Sequence, residues 1–489
     1  MTKTPVIISI DQGTTGTTIL AIKHDGSVFR KAYEEFAQIY PKPGWVEHDP
    51  LVIWQTVFDT LEKIMLNNHL DVKGIGITNQ RETTVLWSAK TGKPLYNAIV
   101  WQCRRTESIC QNFKGHAAIF KAKTGLPLDP YFSATKIRWI LDQIPTHPID
   151  DIRFGTIDSW VIWNLTQGKQ HVTDFTNASR TLLFNIHEKT WDKHLCNILD
   201  IPISLLPEVV SSQGMIGEVC AIDSLKNVPI AGIAGDQQAA LFGQTCFAPG
   251  SIKNTYGTGC FVMMNTGDKA INSKHGLLTT LAVNDKGESC YALEGSVFMG
   301  GATIQWLRDE LKIITNAEET ASIAQSIDNT DGVYLVPAFV GLGAPNWEPN
   351  ARALLTGMTR GTNYKHIIRA ALEAMAYQSM DVIEIMEDES GISIKSLNVD
   401  GGAANNNFLM QFQADILSKE IIRPKNIETT GLGAAYLAGL AVNFWQNSTD
   451  LKKHISVKDT FKPSMNFKQR NALRKGWAKA IQQTLAGLT

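Results

Sequence analysis

The chain carries almost no net charge: 46 Lys and Arg stand against 47 Asp and Glu in 489 residues, a formal balance of −1. Nucleic-acid binders usually show a basic excess, so no nucleic-acid partner is expected. Cysteine is scarce as well. There are seven, with no Cys-x-x-Cys pair, and the closest two, Cys103 and Cys110, are seven apart. That spacing suits neither a zinc knuckle nor a redox pair, leaving buried free thiols in a reducing compartment. Long apolar runs are missing too. The longest, near residues 431–445, is rich in Gly and Ala and falls short of the ~20 residues a membrane span needs. Near the N-terminus, the apolar stretch 6–10 is too short for a signal segment and runs straight into Asp11. These absences predict a cytoplasmic protein with no membrane span. With 44% hydrophobic residues the chain is not disordered, and at roughly 100–200 residues per domain it makes two to four packing units.

Two phosphate-binding signatures are also absent. No G-x-x-x-x-G-K-[ST] occurs, which disfavours a P-loop, and no G-x-G-x-x-G opens a helix after a strand, which disfavours a dinucleotide site. Three small Gly-rich turns attached to strands are present instead. Residues 6–10 read as a strand, Asp11-Gln12-Gly13-Thr14-Thr15-Gly16 as a turn, and 17–22 as a returning strand. Tyr256-Gly257-Thr258-Gly259 lies between strands at 251–255 and 260–265, and Asp400-Gly401-Gly402-Ala403 ends a strand at 396–399. Residues 50–67 carry apolar side chains at helical spacing behind an Asp49 N-cap and a Pro50 at the first position, and 72–78 reads as a strand. A helix is expected at 407–417. Strand and helix alternate, so the expected class is α/β, with two related halves facing one cleft and a boundary near 243–251.

Each candidate group has a bland reading beside a chemical one. Gly-rich turns often only reverse the chain, but three of them, two bearing Thr, can cradle phosphate with backbone N–H groups. Asp11 either caps its turn or holds Mg2+. Asp236, between a small-residue strand and a small-residue helix, sits like an N-cap. It could equally be a general base taking a proton from an attacking hydroxyl. Arg81-Glu82 at a strand end is either a surface ion pair or, in a closed cleft, a set of donors and acceptors for vicinal hydroxyls. Trp101, Tyr131 and Phe261 are either core or the apolar walls of a small polyol pocket.

Long blocks of the sequence resemble the glycerol kinase group of the FGGY carbohydrate kinases. They include Asp11-Gln12-Gly13-Thr14-Thr15, Pro41-Lys42-Pro43-Gly44-Trp45-Val46-Glu47-His48-Asp49-Pro50, Asn79-Gln80-Arg81-Glu82-Thr83-Thr84 and Trp101-Gln102-Cys103-Arg104-Arg105. Gly235-Asp236-Gln237-Gln238, Asn254-Thr255-Tyr256-Gly257-Thr258-Gly259-Cys260-Phe261 and Gly341-Leu342-Gly343-Ala344-Pro345 continue the match, which runs from about residue 5 to about 447. The resemblance implies the duplicated two-lobe actin/Hsp70-like (ribonuclease H-like) ATPase fold, with lobes at 1–246 and 247–489. It implies ATP-dependent phosphorylation of glycerol to sn-glycerol 3-phosphate, with Mg2+ and as a homo-oligomer, dimer or tetramer. Carried over by position, Arg81, Glu82, Trp101, Tyr131, Asp236, Gln237 and Phe261 would line the glycerol site, with Asp236 as the base. Thr14, Thr15 and Gly16 from the first lobe, and Thr258, Gly301, Gln305, Gly402 and Asn406 from the second, would contact the nucleotide. Asp11 would hold the metal.

The chain departs from that pattern in two places. After the threonines the family has Ser-x-Arg, whereas here Gly16-Thr17-Thr18 follows, so Thr18 offers no cation to the phosphates and weaker nucleotide binding is expected. The stretch 213–228 lacks both the Gly-rich loop that binds fructose 1,6-bisphosphate and the histidine phosphorylated during sugar uptake in other members. Two alternatives remain at this stage: a kinase for another polyol or ketose, and a non-catalytic ATP switch on the same fold.

Overall fold

The computed structural model describes residues 3–66 and 69–487. Its first sheet is built from β1 (Thr4–Gln12), β2 (Gly16–Lys23), β3 (Val28–Glu35), β4 (Leu70–Asn79), β5 (Gln213–Glu218) and β6 (Pro229–Gly235), in the order β5-β6-β4-β1-β2-β3. The hairpin expected around the first turn is present, with Asp11 paired to Thr18 and Gln12 to Thr17. Beside it β4 runs parallel to β1, and β6 parallel to β4. A parallel centre is covered on both faces, and β1 is accordingly buried along most of its length. The edge strand β3 alternates half-buried and exposed residues, as an amphipathic edge should.

The second sheet contains β7 (Ile252–Tyr256), β8 (Cys260–Gly267), β9 (Leu278–Val283), β10 (Ser289–Val297), β11 (Ser396–Asp400), β12 (Glu420–Pro424) and β13 (Val457–Phe461), in the order β9-β10-β8-β7-β11-β12-β13. Its centre repeats the plan of the first. An antiparallel meander of three strands, β7-β8-β10, is followed by two strands, β11 and β12, added parallel to the meander's first. Each sheet has its own core, with Ile8, Ile77, Val57 and Trp160 in one and Val262, Leu293, Met375 and Leu409 in the other.

The helix α1 (Pro50–Met65) covers the first sheet. Asp49 caps it by accepting from Leu51 N at 2.8 Å, and Thr17 meets Thr56 at 3.0 Å. Sequence spacing carried this helix to residue 67. It ends at Met65, and residue 67 lies outside the described residues. Between β4 and β5, residues 80–212 form short helices and small ladders around a separate core that includes Phe120, Phe132 and Phe154.

Two helices join the lobes: α2 (Asp236–Gly243) and, late in the chain, α5 (Thr429–Ala441). Earlier come α3 (Gly301–Asp309) and α4 (Asn407–Leu417), the latter with the bounds that the sequence suggests. Helix α5 lies across the first sheet and against α2. A Cβ on Gly433 would stand 1.8 Å from the Ala239 carbonyl, and one on Gly76 would stand 2.0 Å from that of Ala434. Only glycine permits backbones this close, which accounts for the Gly- and Ala-rich run at 431–445. It is a packing helix, and among the described residues no helix is long and apolar enough to cross a membrane.

Candidate active site

Three chain segments bring the first lobe's polar groups together: the β1–β2 turn, the end of β4, and the start of α2. Asp236 is the first residue of α2 rather than its cap. Gly235 is the cap and has no side chain to offer, so Asp236 is released to face the cleft and is 31% exposed. The capping alternative for Asp236 is therefore set aside. Its Oδ1 accepts from Gln237 N at 2.7 Å, and its Oδ2 from Gln237 Nε2 at 3.2 Å.

Arg81 and Glu82 are not a surface pair; both are buried. Nor are they principally each other's partner, since Arg81 Nε stands 3.9 Å from Glu82 Oε1. The Arg81 fork grips Glu294 of the second lobe, with Nη1 to Oε2 at 2.5 Å and Nη2 to Oε1 at 3.1 Å. Glu82 takes Arg180 Nε at 2.7 Å, and Arg180 Nη2 reaches Glu294 Oε1 at 2.9 Å. Buried charges persist only when paired and hydrogen-bonded, and each charge of this tetrad has an opposite partner, although Arg81 Nε and Arg180 Nη1 make no hydrogen bond. Burial alone would raise the Glu294 pKa, but Arg180 and Arg81 hold it at about 2. Glu82, with a smaller share of the arginines, is pushed up by burial. Its backbone sits at φ 62°, a region costly for a non-glycine residue, and its carbonyl accepts the Thr84 and Ser133 hydroxyls, each at 3.0 Å.

An aromatic wall closes the other side. Trp101 stands 5.6 Å from Tyr131 and 6.4 Å from Phe261 between ring centroids, so residues from both lobes meet there. Trp101 Nε1 donates to Thr14 Oγ1 at 3.0 Å, tying this wall to the first Gly-rich turn. Behind Tyr131, the buried Lys136 donates from Nζ to the Tyr131 carbonyl at 2.6 Å, and burial brings its pKa down to about 7. Gln237 is less free than its position suggests, because its Oε1 accepts from the buried Lys253 Nζ of β7. Lys253 also donates to Thr255 Oγ1 at 2.7 Å.

Asp11, at the end of β1, has its pKa raised to about 7, chiefly by burial, then by the charges of Asp236 and Glu428, against the opposing pull of Lys31. Among the described residues no group of three or more His, Cys, Asp or Glu side chains could hold a metal ion by itself. Mg2+ commonly takes only one or two carboxylates and completes its shell with water and phosphate oxygens. A carboxylate whose ionisation is opposed by a second acid suits such a cation, so the donor set fits. Of the remaining first-lobe residues, Thr15 is exposed at the turn's tip. Gly16 is packed so closely that a Cβ would stand 2.6 Å from the Glu34 carbonyl.

The second-lobe residues form a neighbouring cluster. Gly301 N donates to the Gly257 carbonyl at 2.8 Å, while Gly300 N and Ala302 N donate to that of Thr258 at 2.9 and 3.0 Å. This binds the start of α3 to the 257–259 turn. Gln305 projects from the exposed side of α3. Gly401 takes φ 83°, with a would-be Cβ 2.5 Å from the Tyr256 carbonyl, which seats the 400–402 loop on the same turn. Gly402 itself opens onto free space. Asn406 caps α4 by accepting from Leu409 N at 3.0 Å and donates to Thr320 Oγ1 at 3.0 Å, so its amide already serves the fold.

The chain matches the family model described as the FGGY family of carbohydrate kinases, N-terminal domain, over residues 6–243 and the C-terminal domain over 252–442. The chain belongs to the FGGY family of carbohydrate kinases. This FGGY kinase has the duplicated two-lobe actin/Hsp70-like ATPase fold. It is 55% identical to a protein named glycerol kinase from Shewanella woodyi, over 98% of this chain and 99% of that one. It is 56% identical to another of that name from Clostridium botulinum, over 98% of each. The crystal structure of Plasmodium falciparum glycerol kinase with ADP superposes on 99% of both chains with a TM-score of 0.93 at 39% identity. A xylulose kinase from Lactobacillus acidophilus shares the fold, with a TM-score of 0.89 at 23% identity.

Three residues of this FGGY kinase's candidate site were missed by sequence reasoning: Arg180, Glu294 and Lys253. The signal was available. Lys253 and Glu294 are charged positions inside otherwise buried strands, and a charge fully enclosed in a strand calls for a partner.

Proposed function

We propose that this FGGY kinase is an ATP:glycerol 3-phosphotransferase, giving sn-glycerol 3-phosphate and ADP, the entry step of glycerol catabolism. The observation that carries the reading is the placement of one partly exposed carboxylate, Asp236, 3.1 Å from a buried Arg81 Nε that makes no hydrogen bond. The names of its relatives support the same substrate.

Glycerol would sit with its C–H faces against Trp101, Tyr131 and Phe261, its hydroxyls taking a hydrogen bond from Arg81 and giving them to Glu82 and Asp236. Mg-ATP would lie along the second-lobe turns, its terminal phosphate directed at Thr14 and Thr15. When bound, Mg2+ held through Asp11 would supply charge neutralisation at the phosphates. Asp236 orients the terminal hydroxyl in line with phosphorus and accepts its proton late, as a loose phosphoryl-transfer transition state requires. Bringing the lobes together excludes water from the transfer. Glycerol-dependent release of ADP, measured with and without Mg2+, tests the assignment. Equal or greater turnover of another polyol or a ketose would replace glycerol, and silence with every substrate would remove the kinase reading.

A further inference from the structure

The polyol pocket belongs mostly to the first lobe, yet its central cation is aimed by a residue from the second. Arg81 has three nitrogens to satisfy. Nη1 is bound to Glu294 Oε2 at 2.5 Å and to Gln238 Oε1 at 3.2 Å, and Nη2 to Glu294 Oε1 at 3.1 Å. Only Nε lacks a hydrogen-bond partner, and it stands 3.1 Å from Asp236 Oδ1. A bidentate carboxylate fixes the plane of a guanidinium as well as its position. Glu294 thus decides which edge of Arg81 faces the pocket.

We infer that Glu294 is a positioning residue for polyol recognition, a clamp from the second lobe that turns the Nε–H of Arg81, which makes no hydrogen bond, toward a substrate hydroxyl. This rests on the polyol-kinase reading above. Glu294 lies on β10, fully buried, and also accepts from Arg180 Nη2 at 2.9 Å. Arg180 in turn holds Glu82 at 2.7 Å, so one carboxylate sets both halves of the Arg81–Glu82 pair. The neighbouring strand β9 reinforces the contact between lobes. Ser179 Oγ meets Thr280 Oγ1 at 2.9 Å, and Gln238 Nε2 donates to the Leu281 carbonyl at 3.0 Å. Without the Glu294 charge, the fork of Arg81 is free to rotate onto Glu82 or Asp236, the two remaining acids around it, and its Nε–H leaves the pocket. A further consequence is that polyol affinity depends on the two lobes being in contact.

The test compares Glu294→Gln, which keeps the shape and removes the charge, with Glu294→Asp, which keeps the charge and draws it back. In the full-length enzyme, E294Q should weaken glycerol binding by about tenfold or more while ADP affinity stays within about threefold, because only the polyol side loses its alignment. E294D should fall between E294Q and the wild type. In a cycle with Arg81→Lys, the double variant should bind glycerol no worse than R81K alone, since Glu294 acts through Arg81. Glycerol affinity within about twofold of wild type in folded E294Q, or additive losses in the cycle, would overturn the proposal. Should E294Q not fold, unchanged glycerol affinity in E294D overturns it equally. Wild-type protein that binds ADP but no glycerol removes the substrate assignment and this clamp with it, whereas a failure confined to the variants removes the clamp alone.

Discussion

Arg81 Nε pairs ionically with Asp236 Oδ1 at 3.1 Å without completing a hydrogen bond to it, and this buried N–H makes no other hydrogen bond. A donor and an acid paired in this way, with no hydrogen bond between them, would offer a hydroxyl both a donor and an acceptor. Asp236→Asn keeps the shape and removes the carboxylate proposed as the base. Turnover should fall by roughly two orders of magnitude or more, with glycerol binding kept within about tenfold. Steady-state ADP release together with calorimetric glycerol titration measures both, and near-normal turnover would take Asp236 out of the mechanism.

Thr18 faces the same side of the first sheet as Asp11, its partner across the β1–β2 hairpin. Lys31, two positions from the residue opposite Thr18, is occupied by Glu428. Thr18→Arg would add a guanidinium on this face, and the KM for Mg-ATP should drop by about threefold to tenfold. An unchanged or higher KM would show that the phosphates do not approach this face.

Asp158 is buried opposite Asp174, and its pKa is raised to about 7 by burial first and by that neighbour second. The Thr156 and Thr173 hydroxyls bond its two oxygens at 2.5 and 2.6 Å. Its ordinary pKa is 3.8, so between about pH 4 and 7 the folded protein holds a proton that the unfolded chain has lost. Stability therefore falls as pH rises through that window, and the full penalty stands above pH 7. Asp158→Asn removes it, and thermal unfolding should show the variant gaining on wild type by about 2 kcal/mol from pH 5 to pH 8. A pH-independent difference between the two proteins would refute this.

Burial pushes the Cys110, Cys196, Cys246, Cys260 and Cys290 thiols up to about 12, and Cys103 is enclosed. Cys220 departs from the sequence expectation of buried thiols: it is half-buried, with Lys169 Nζ 3.3 Å from its sulfur. Iodoacetamide at neutral pH should label the native protein once, at Cys220, and the denatured chain seven times. Mass spectrometry of native Cys220→Ser reads the outcome, and rapid labelling of any other cysteine contradicts it.

The sequence determined the local parts. The Thr- and Gly-rich hairpin at 11–16, the Asp49-capped helix, the 407–417 helix and the strand ends bearing Arg81 and Asp400 follow from turn chemistry, capping and periodicity, which act over a few residues. Candidate groups such as Asp236 and Trp101 were visible because their residue types suit the chemistry, although the sequence left capping of α2 open as an alternative for Asp236. Tertiary structure decided which charges meet. Arg81 adjoins Glu82 in the chain, yet the carboxylate it grips is 213 positions away on the other lobe, and Glu82 turns to Arg180. No local rule distinguishes these pairings. Burying four charges at once demands that each find its opposite, and only the approach of two independently formed sheets determines which partners are within reach.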